Sequence, residues 1–172
     1  MGLFGKFKKP SRPEALDVSA PAGIVLAPVA GDAIALENVP DPVFSSGVMG
    51  KGCGIEPTGE VVYAPVAGTL SAIGAPNYHA IGIVGDDGAE ILIHVGVDTV
   101  EMKGDGFTIF GEKDAHVRAG EPLLSFSKKK IESAGHAATV IIALTNTDDL
   151  ASVERVKIGS ISAGEKVISF QS

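Results

Sequence analysis

Two histidines flank a predicted β-hairpin and are the residues whose type and spacing best suit chemistry. His79 opens the apolar run "HAIGIV", and His94 lies near the end of a second run, "AEILIHV". Between the runs stands "GDDG", a Gly/Asp cluster typical of a tight turn. The residues around His94 are apolar and mostly β-branched, which predicts a buried strand, so this histidine needs a polar partner or a task.

The register of this hairpin decides whether the two histidines meet. A two-residue loop at Asp86-Asp87 pairs residues whose numbers sum to 173, so that His79 directly faces His94. Their Cβ atoms would then lie about 4.5–5.5 Å apart. A turn at Asp87-Gly88 leaves the histidines on one face as diagonal neighbours, whereas a three-residue loop puts them on opposite faces. Most registers therefore predict a histidine pair.

A pair of imidazoles is suited to phosphoryl transfer. The unperturbed histidine pKa near 6.5 leaves much of the ring neutral at physiological pH, and a neutral ring nitrogen is a nucleophile. One histidine would accept the group while the other donates a hydrogen bond to the developing negative charge. Gly82 and Gly96, expected on the same face, leave room for an approaching group. The alternative is a satisfied structural pair, or one buried and one surface histidine.

The rest of the chain predicts an all-β fold. Of the 172 residues 45% are apolar and only 5% aromatic, while 22 glycines and 10 prolines favour short strands joined by turns. "APVAG" occurs at 27–31 and at 64–68, and "AGEPLLSF" at 119–126 returns as "AGEKVISF" at 163–170. These repeats predict an antiparallel β-sandwich or barrel built from related β-motifs. Helix is expected only as single turns, near Pro42–Ser46, Lys128–Ala134 and Asp148–Val153.

Charge and cysteine content narrow the function classes. Residues 1–20 hold four basic and two acidic residues, a net charge of +2, and residues 21–172 hold ten basic and nineteen acidic residues, a net charge of −9. The electrostatic field of a segment with this net negative charge does not attract nucleic acid. The single cysteine, Cys53, excludes an internal disulfide, and no apolar run is long enough to cross a bilayer. We therefore expect a soluble, cytoplasmic protein with protein partners.

The first twenty residues are expected to form a tail and linker before a single domain over residues 21–172. Leu3, Phe4 and Phe7 recur at helical spacing beside lysines. Residues 1–9 could thus form a short amphipathic helix that makes weak, reversible contact with an anionic membrane. A solvated tail is the alternative.

Three segments carry a resemblance to a known family. "GAEILIHVGVDTVEMKGDGF" (88–107) resembles the phosphorylation-site segment of the glucose-type enzyme IIA domain of the bacterial phosphoenolpyruvate-dependent sugar phosphotransferase system. "APVAGTLSAIGAPNYHAIGI" (64–83) resembles the segment that supplies this family's second active-site histidine. "VPDPVFSSGVMGKGCGIEPTGEVVYAPVAG" (39–68) is similar as well, so the resemblance covers about residues 21–172. Even "MGLFGKFKK" resembles the basic amphipathic start of stand-alone members.

The resemblance implies a phosphocarrier with an antiparallel β-sandwich fold and no required cofactor. His94 would accept the phosphoryl group from phospho-HPr, and His79 would hydrogen-bond the phosphate. The recipient would be a cysteine on the IIB domain of a IIB/IIC sugar permease, and some relatives also have regulatory protein targets. Partners of the family dock on a shallow apolar surface with acidic residues at its edge. The matching positions here are Asp41, Val43, Phe44, Val48, Met49 and Asp98.

The resemblance is weaker just before the second histidine. Asn77-Tyr78 precede His79 where the family more often has Thr-Asn. A threonine hydroxyl that supports the site is therefore not expected in this chain.

Two rival functions use other features of the sequence. A zinc hydrolase-like β-domain would bind the metal through His79, His94 and Asp98, but the chain lacks the His-x-His pair expected of such a peptidase. The resemblance itself allows only adventitious or partner-completed zinc at the histidine pair. A biotinyl- or lipoyl-type carrier would need Lys103 at the tip of a tight hairpin. That lysine instead runs into a Gly-rich segment, and this reading explains neither histidine.

Overall fold

The structure is a computed structural model that describes residues 11–172. Over this range the chain forms antiparallel β-strands, two short α-helices and three 3-10 turns, which confirms the predicted all-β class. The first seven strands are β1 (Ile24–Leu26), β2 (Gly31–Ala35), β3 (Lys51–Pro57), β4 (Val61–Tyr63), β5 (Gly68–Ala72), β6 (Ala80–Gly85) and β7 (Glu90–Val95). The others are β8 (Phe107–Ile109), β9 (His116–Val117), β10 (Pro122–Phe126), β11 (Val140–Leu144), β12 (Ser152–Arg155), β13 (Gly159–Ile161) and β14 (Lys166–Gln171).

Helix is confined to single turns, as the glycine and proline content predicts. The helices are α1 (Pro42–Ser45) and α2 (Lys128–Ser133), and the 3-10 turns are Leu36–Asn38, Thr99–Met102 and Thr147–Asp149. The turn predicted over Asp148–Val153 is therefore wrong at its end, where β12 begins at Ser152. Val153 is buried and pairs with Phe170 of β14, so sheet pairing overrides the local helical preference. Among residues 11–172, no helix has the length and apolar character that crossing a bilayer would require.

The strands form one large sheet and two small ones. The eight-stranded sheet has the order β13-β2-β3-β11-β7-β6-β5-β9, and the three-stranded sheets have the orders β1-β14-β12 and β4-β10-β8. A single aliphatic core joins all three sheets, because its fully buried side chains come from each of them. Examples are Leu70, Ile81, Ile93 and Ile142 from the large sheet, with Leu124 and Ile168 from the small ones.

The sequence repeats correspond to two structural halves. Each "APVAG" segment leaves a short strand of a small sheet, β1 or β4, and enters a strand of the large sheet, β2 or β5. The halves exchange equivalent backbone hydrogen bonds: Leu26 N donates to Pro65 O at 2.9 Å, and Tyr63 N donates to Pro28 O at 2.8 Å. The order of the large sheet is mirrored about its central pair, β11 and β7. The molecule is thus built from two halves related by an approximate two-fold axis.

The outer face of the large sheet, which points away from the main core, is covered by a chain segment in the first half of the molecule. In the second half the equivalent face forms a groove. Over β11, the segment from Leu36 to Met49 packs its apolar side chains on Ile141 and Ala143. The equivalent face of the second half carries Ala80, Gly82 and Leu92, which line a groove together with Ser71 and Lys113. The fold therefore presents an open strip of sheet beside a covered one.

The described part of the predicted tail contacts the domain. Leu16 N donates to Gly120 O at 2.9 Å, and the guanidinium of Arg12 lies 3.7 Å from the carboxylate of Glu121. Contacts therefore exist on both sides of the predicted boundary at residue 20, and that boundary stays a prediction. The predicted membrane contact of residues 1–9 lies outside the described residues.

Candidate functional site

The structure brings the two predicted histidines together on the outer face of the large sheet. The ring centroids of His79 and His94 lie 4.6 Å apart, with the ring planes at 77° in an edge-to-face arrangement. His94 belongs to β7, whose buried residues Ile91, Ile93 and Val95 alternate with it, so its ring points away from the core. His79 stands directly before β6 and is only 7% exposed.

The hairpin register differs from the predicted direct opposition of the two histidines. Ala80, not His79, pairs with His94, and the paired residue numbers sum to 174. The loop has three residues, because Gly85 N donates to Ala89 O across it at 2.8 Å. The prediction that His79 faces His94 is therefore wrong, since the Gly/Asp cluster supports a three-residue loop as readily as a two-residue one.

The histidines meet despite this register because the regular strand ends before His79. Ala80 N donates to Asn77 O at 3.0 Å, which closes a β-turn over residues 77–80. The carbonyl oxygen of His79 accepts from Val95 N at 2.8 Å, so the turn stays attached to β7. The alternation of faces applies only to pleated strands, and the turn redirects the His79 ring to the outer face.

A hydrogen bond determines the tautomer of His94. Its Nδ1 lies 2.7 Å from the carbonyl oxygen of Gly96, and a carbonyl oxygen only accepts, so Nδ1 carries the ring proton. Nε2 is then left with a free lone pair. Gly96 adopts a φ of 81°, and a Cβ there would lie 2.4 Å from Cγ2 of Thr99. Only glycine fits this turn, which aims the carbonyl back at the imidazole.

Both rings are held in the neutral form. Burial, together with the smaller effect of the adjacent His94, lowers the pKa of His79 to about 4. Burial also lowers the pKa of His94 below its usual value, although the Gly96 carbonyl and the carboxylates of Asp41 and Asp98 oppose that shift. A neutral pair at physiological pH is the state that a nitrogen nucleophile needs.

The predicted docking residues divide into exposed and buried ones. Val43 and Val48 are 54% and 75% exposed, and Asp98 is exposed at the end of the His94 strand. Phe44 is only 5% exposed, because its ring packs on the His94 imidazole with centroids 5.1 Å apart. Met49 packs against the apolar cluster on the outer face of the large sheet.

Asp41 has a structural task besides the predicted one. It is 8% exposed, and its Oδ1 accepts the backbone N–H of Val43 at 3.0 Å, which caps the N-terminus of α1. A role of the six residues in partner binding stays a prediction.

Two contacts of the histidines were missed at the level of sequence. From the sequence, Gly96 is assigned only the task of leaving room for an approaching group and its carbonyl oxygen is given no contact, although a glycine two residues after a histidine at a strand end indicates a tight turn there. The packing of Phe44 on His94 joins segments far apart in the chain, so no local pattern could have predicted it.

The structural requirements of the two rival functions are not met. Over residues 11–172, no three His, Cys, Asp or Glu side chains are grouped so that they could hold a metal ion. The histidine pair alone offers two ligands, fewer than the three protein ligands of a catalytic zinc. Lys103 follows the 3-10 turn Thr99–Met102 and lies before β8, which pairs with β10 and not with β7. It is therefore not at the hairpin tip that a lipoyl-type lysine would occupy.

Comparison with known proteins places the chain in a family. The model of the "phosphoenolpyruvate-dependent sugar phosphotransferase system, EIIA 1" family matches residues 23–150. The glucose-specific EIIA component of Staphylococcus aureus (strain COL) is 36% identical over 167 residues, covering 96% of this chain and 95% of that protein. The beta-glucoside-specific EIIBCA component of Dickeya chrysanthemi is 42% identical over 172 residues, 93% of this chain but only 27% of that longer protein.

A solved structure agrees with these matches. The glucose permease IIA from Mycoplasma capricolum superposes with a TM-score of 0.75 at 37% sequence identity, covering 84% of this chain and 94% of that one. The β-sandwich, the paired histidines and the sequence matches lead to one conclusion: this chain belongs to the EIIA 1 family of the phosphoenolpyruvate-dependent sugar phosphotransferase system.

Proposed function

We propose that this chain is a phosphocarrier of sugar uptake, in which Nε2 of His94 accepts a phosphoryl group from phospho-HPr and passes it to the IIB domain of a sugar permease. The observation that carries this proposal is the His94 ring itself. Its Nδ1 is occupied by the Gly96 carbonyl, and its neighbour His79 lies edge-on at 4.6 Å. Family membership supports the same function.

The proposed step is an exchange of one phosphorus–nitrogen bond for another. The lone pair on Nε2 attacks phosphorus, and the donor nitrogen leaves with the electron pair of the broken bond. The proton on Nδ1 stays on the ring, which therefore gains positive charge as the new bond forms. The Gly96 carbonyl and the carboxylates of Asp41 and Asp98, which favour a cationic His94, would stabilise that charge.

His79 is proposed to stabilise the transferred phosphoryl group. As a neutral imidazole it carries one N–H, which it can donate to a phosphate oxygen. Its burial in the Asn77–Ala80 turn holds the ring in place before the phosphate arrives, so little reorganisation is needed. The His79 ring would therefore affect the transfer of the phosphoryl group to the IIB domain more than the nucleophilicity of His94.

The partner surface is proposed to include the open face of the second half of the sheet. Val43 and Val48 expose apolar surface in the segment whose Phe44 packs on His94, and the groove lined by Ala80, Gly82 and Leu92 includes the strand partner of His94, Ala80. In the first half the chain covers the equivalent face with its own apolar segment, which supports the proposal that a partner packs on the open face. The exposed carboxylate of Asp98 would steer a basic partner face and raise the association rate.

Substitution of each histidine tests the assigned roles. His94→Gln should take up no phosphate, because amide nitrogen is no nucleophile. His79→Gln should still be phosphorylated but should pass the group to a IIB domain about 10²–10³-fold more slowly, the usual cost of removing one donor to a transition-state charge. Intact mass after incubation with phosphoenolpyruvate, enzyme I and HPr measures the first effect, and rapid-quench transfer to IIB measures the second.

The control for this pair is His116→Gln, since His116 is an exposed histidine paired with Asp86 at 2.9 Å. This variant should behave as wild type in both assays. Phosphate on the His94→Gln protein, or wild-type transfer by His79→Gln, would contradict the corresponding assignment.

Neutral histidines also give the domain a defined pH dependence. Folding holds His79 neutral, so between pH 6.5 and about 4 the unfolded chain binds more protons than the native one. The free energy of unfolding should therefore fall as the pH falls through this window, and His79→Gln should lose less stability than wild type over the same range. Urea denaturation at several pH values measures the difference, in which titrations common to both proteins cancel. Parallel curves for the two proteins would show that folding does not perturb His79.

The exposed valines test the docking surface. Replacing Val48 by Ser removes apolar surface that a partner would bury, so the KM for phospho-HPr should rise about tenfold, the equivalent of a partly lost apolar contact. Val156→Ser is a matched control, because Val156 is 49% exposed between β12 and β13, away from the histidine strands. Steady-state phosphotransfer at varied HPr concentration measures both variants. An equal KM for Val48→Ser and wild type would place the docking surface elsewhere.

A further inference from the structure

We propose that Tyr78 is a positioning residue, whose ring packs on the backbone of Gly104 and thereby holds His79 over His94. This inference rests on the proposed function, because it assigns a means by which the assisting histidine is kept in place. It concerns the one position where the hairpin departs from a regular strand.

The position of the His79 ring over His94 does not follow from the strand alone. If β6 simply continued backwards by one residue, the observed register would send the His79 side chain to the face opposite His94. The β-turn over residues 77–80 prevents this, but Asn77 at its start is exposed. Two backbone hydrogen bonds, from Ala80 N to Asn77 O and from Val95 N to His79 O, hold this turn, and a side-chain contact with the body of the protein would restrict it further.

Tyr78, inside that turn, makes such a contact. A Cβ placed on Gly104 would lie 2.5 Å from Cδ2 of Tyr78, 2.8 Å from its Cγ and 2.9 Å from its Cε2. The aromatic ring therefore lies directly against the glycine backbone, in space that any other residue would fill. Gly104 has a φ of 85°, which also favours glycine at this position.

The loop that the Tyr78 ring contacts is itself anchored near His94. It begins at Asp98, four residues after His94, and Thr99 donates its hydroxyl to the carbonyl oxygen of Val95. Beyond Gly104, Asp105 pairs with Lys130 of α2 at 2.9 Å. The Tyr78 contact thus joins the turn that carries His79 to a loop that continues directly from the strand of His94.

The test removes the contact from either side. Gly104→Ala pushes the ring away, and Tyr78→Ala deletes it, which keeps the test informative if one of the two variants folds poorly. Both variants should still accept phosphate on His94 but should transfer it to a IIB domain more slowly by about tenfold or more, because small misplacements of a catalytic group cost rate steeply. Tyr78→Phe keeps the contacting ring atoms and should transfer at the wild-type rate.

Gly106→Ala is the matched control. Gly106 lies in the same loop with a φ of 89°, so alanine there meets the same backbone strain as at Gly104. The three atoms nearest to its Cβ would instead be Cβ and Cδ of Lys130, both at 3.3 Å, and Cβ of Ser127 at 3.6 Å. Slower transfer in Gly106→Ala equal to that in Gly104→Ala would show that loop strain, not the tyrosine contact, causes the effect.

A second readout is independent of phosphotransfer. NMR titration of the His79 imidazole reports how far the ring is buried, and release of the ring into water should raise its pKa from about 4 towards 6.5. We expect this rise in Gly104→Ala and Tyr78→Ala but not in Tyr78→Phe or Gly106→Ala. An unchanged His79 titration in both contact-breaking variants would overturn the proposal. A raised His79 pKa with undiminished transfer would support the contact and contradict the proposed function of His79.

Discussion

The hydrogen bond between Nδ1 of His94 and the carbonyl oxygen of Gly96 is the interaction on which the account of this site depends. It places the ring proton on Nδ1 and so leaves the lone pair of Nε2 free, as the proposed nucleophile requires. It also requires the chain to turn back immediately after β7, which Gly96 permits and which its N–H bond to Thr139 O at 2.8 Å holds in place. The chemistry of the imidazole is therefore set by the way one central strand ends.

The two-fold construction of the fold explains where this strand end lies. β7 and β11 form the centre of the large sheet, and their neighbours repeat outward in the same order on both sides. The halves differ in what covers them, since the segment from Leu36 to Met49 packs over one outer face only. His94 lies beside that segment, against Phe44, with the open groove on its other side. An approximately symmetric scaffold thus acquires one asymmetric site.

The sequence predicted the fold class, the repeats and the histidine pair, but it reached the pair through a wrong register. Alternation in "HAIGIV" and "AEILIHV" correctly identifies two strands, because each buries every second residue. Alternation cannot reveal that the pleat ends at Ala80, since that depends on a turn supported from outside the hairpin. Two departures compensate: the loop is one residue longer than in the two-residue registers that predict the pair, and the turn over residues 77–80 returns the His79 ring to the expected face.

The docking residues show a similar division. Val43 is exposed in the short capped helix α1 and Val48 in the turn that follows it, and sequence similarity was enough to single out both. The burial of Phe44 and Asp41 could not be read from the chain, because it comes from packing against a distant strand and from capping α1. The resemblance therefore singled out the segment as a predicted docking surface, and tertiary contacts decide which of its side chains are exposed.

The most direct test of the central claim is the position of the phosphate on the His94 ring. Protein labelled with ¹⁵N-histidine, phosphorylated through phosphoenolpyruvate, enzyme I and HPr, distinguishes the two ring nitrogens by NMR through their coupling to phosphorus and to the ring protons. We expect phosphate on Nε2 of His94, with the proton retained on Nδ1. Phosphate on Nδ1, or on another residue, would contradict it, because the bond to Gly96 would then not govern the reaction.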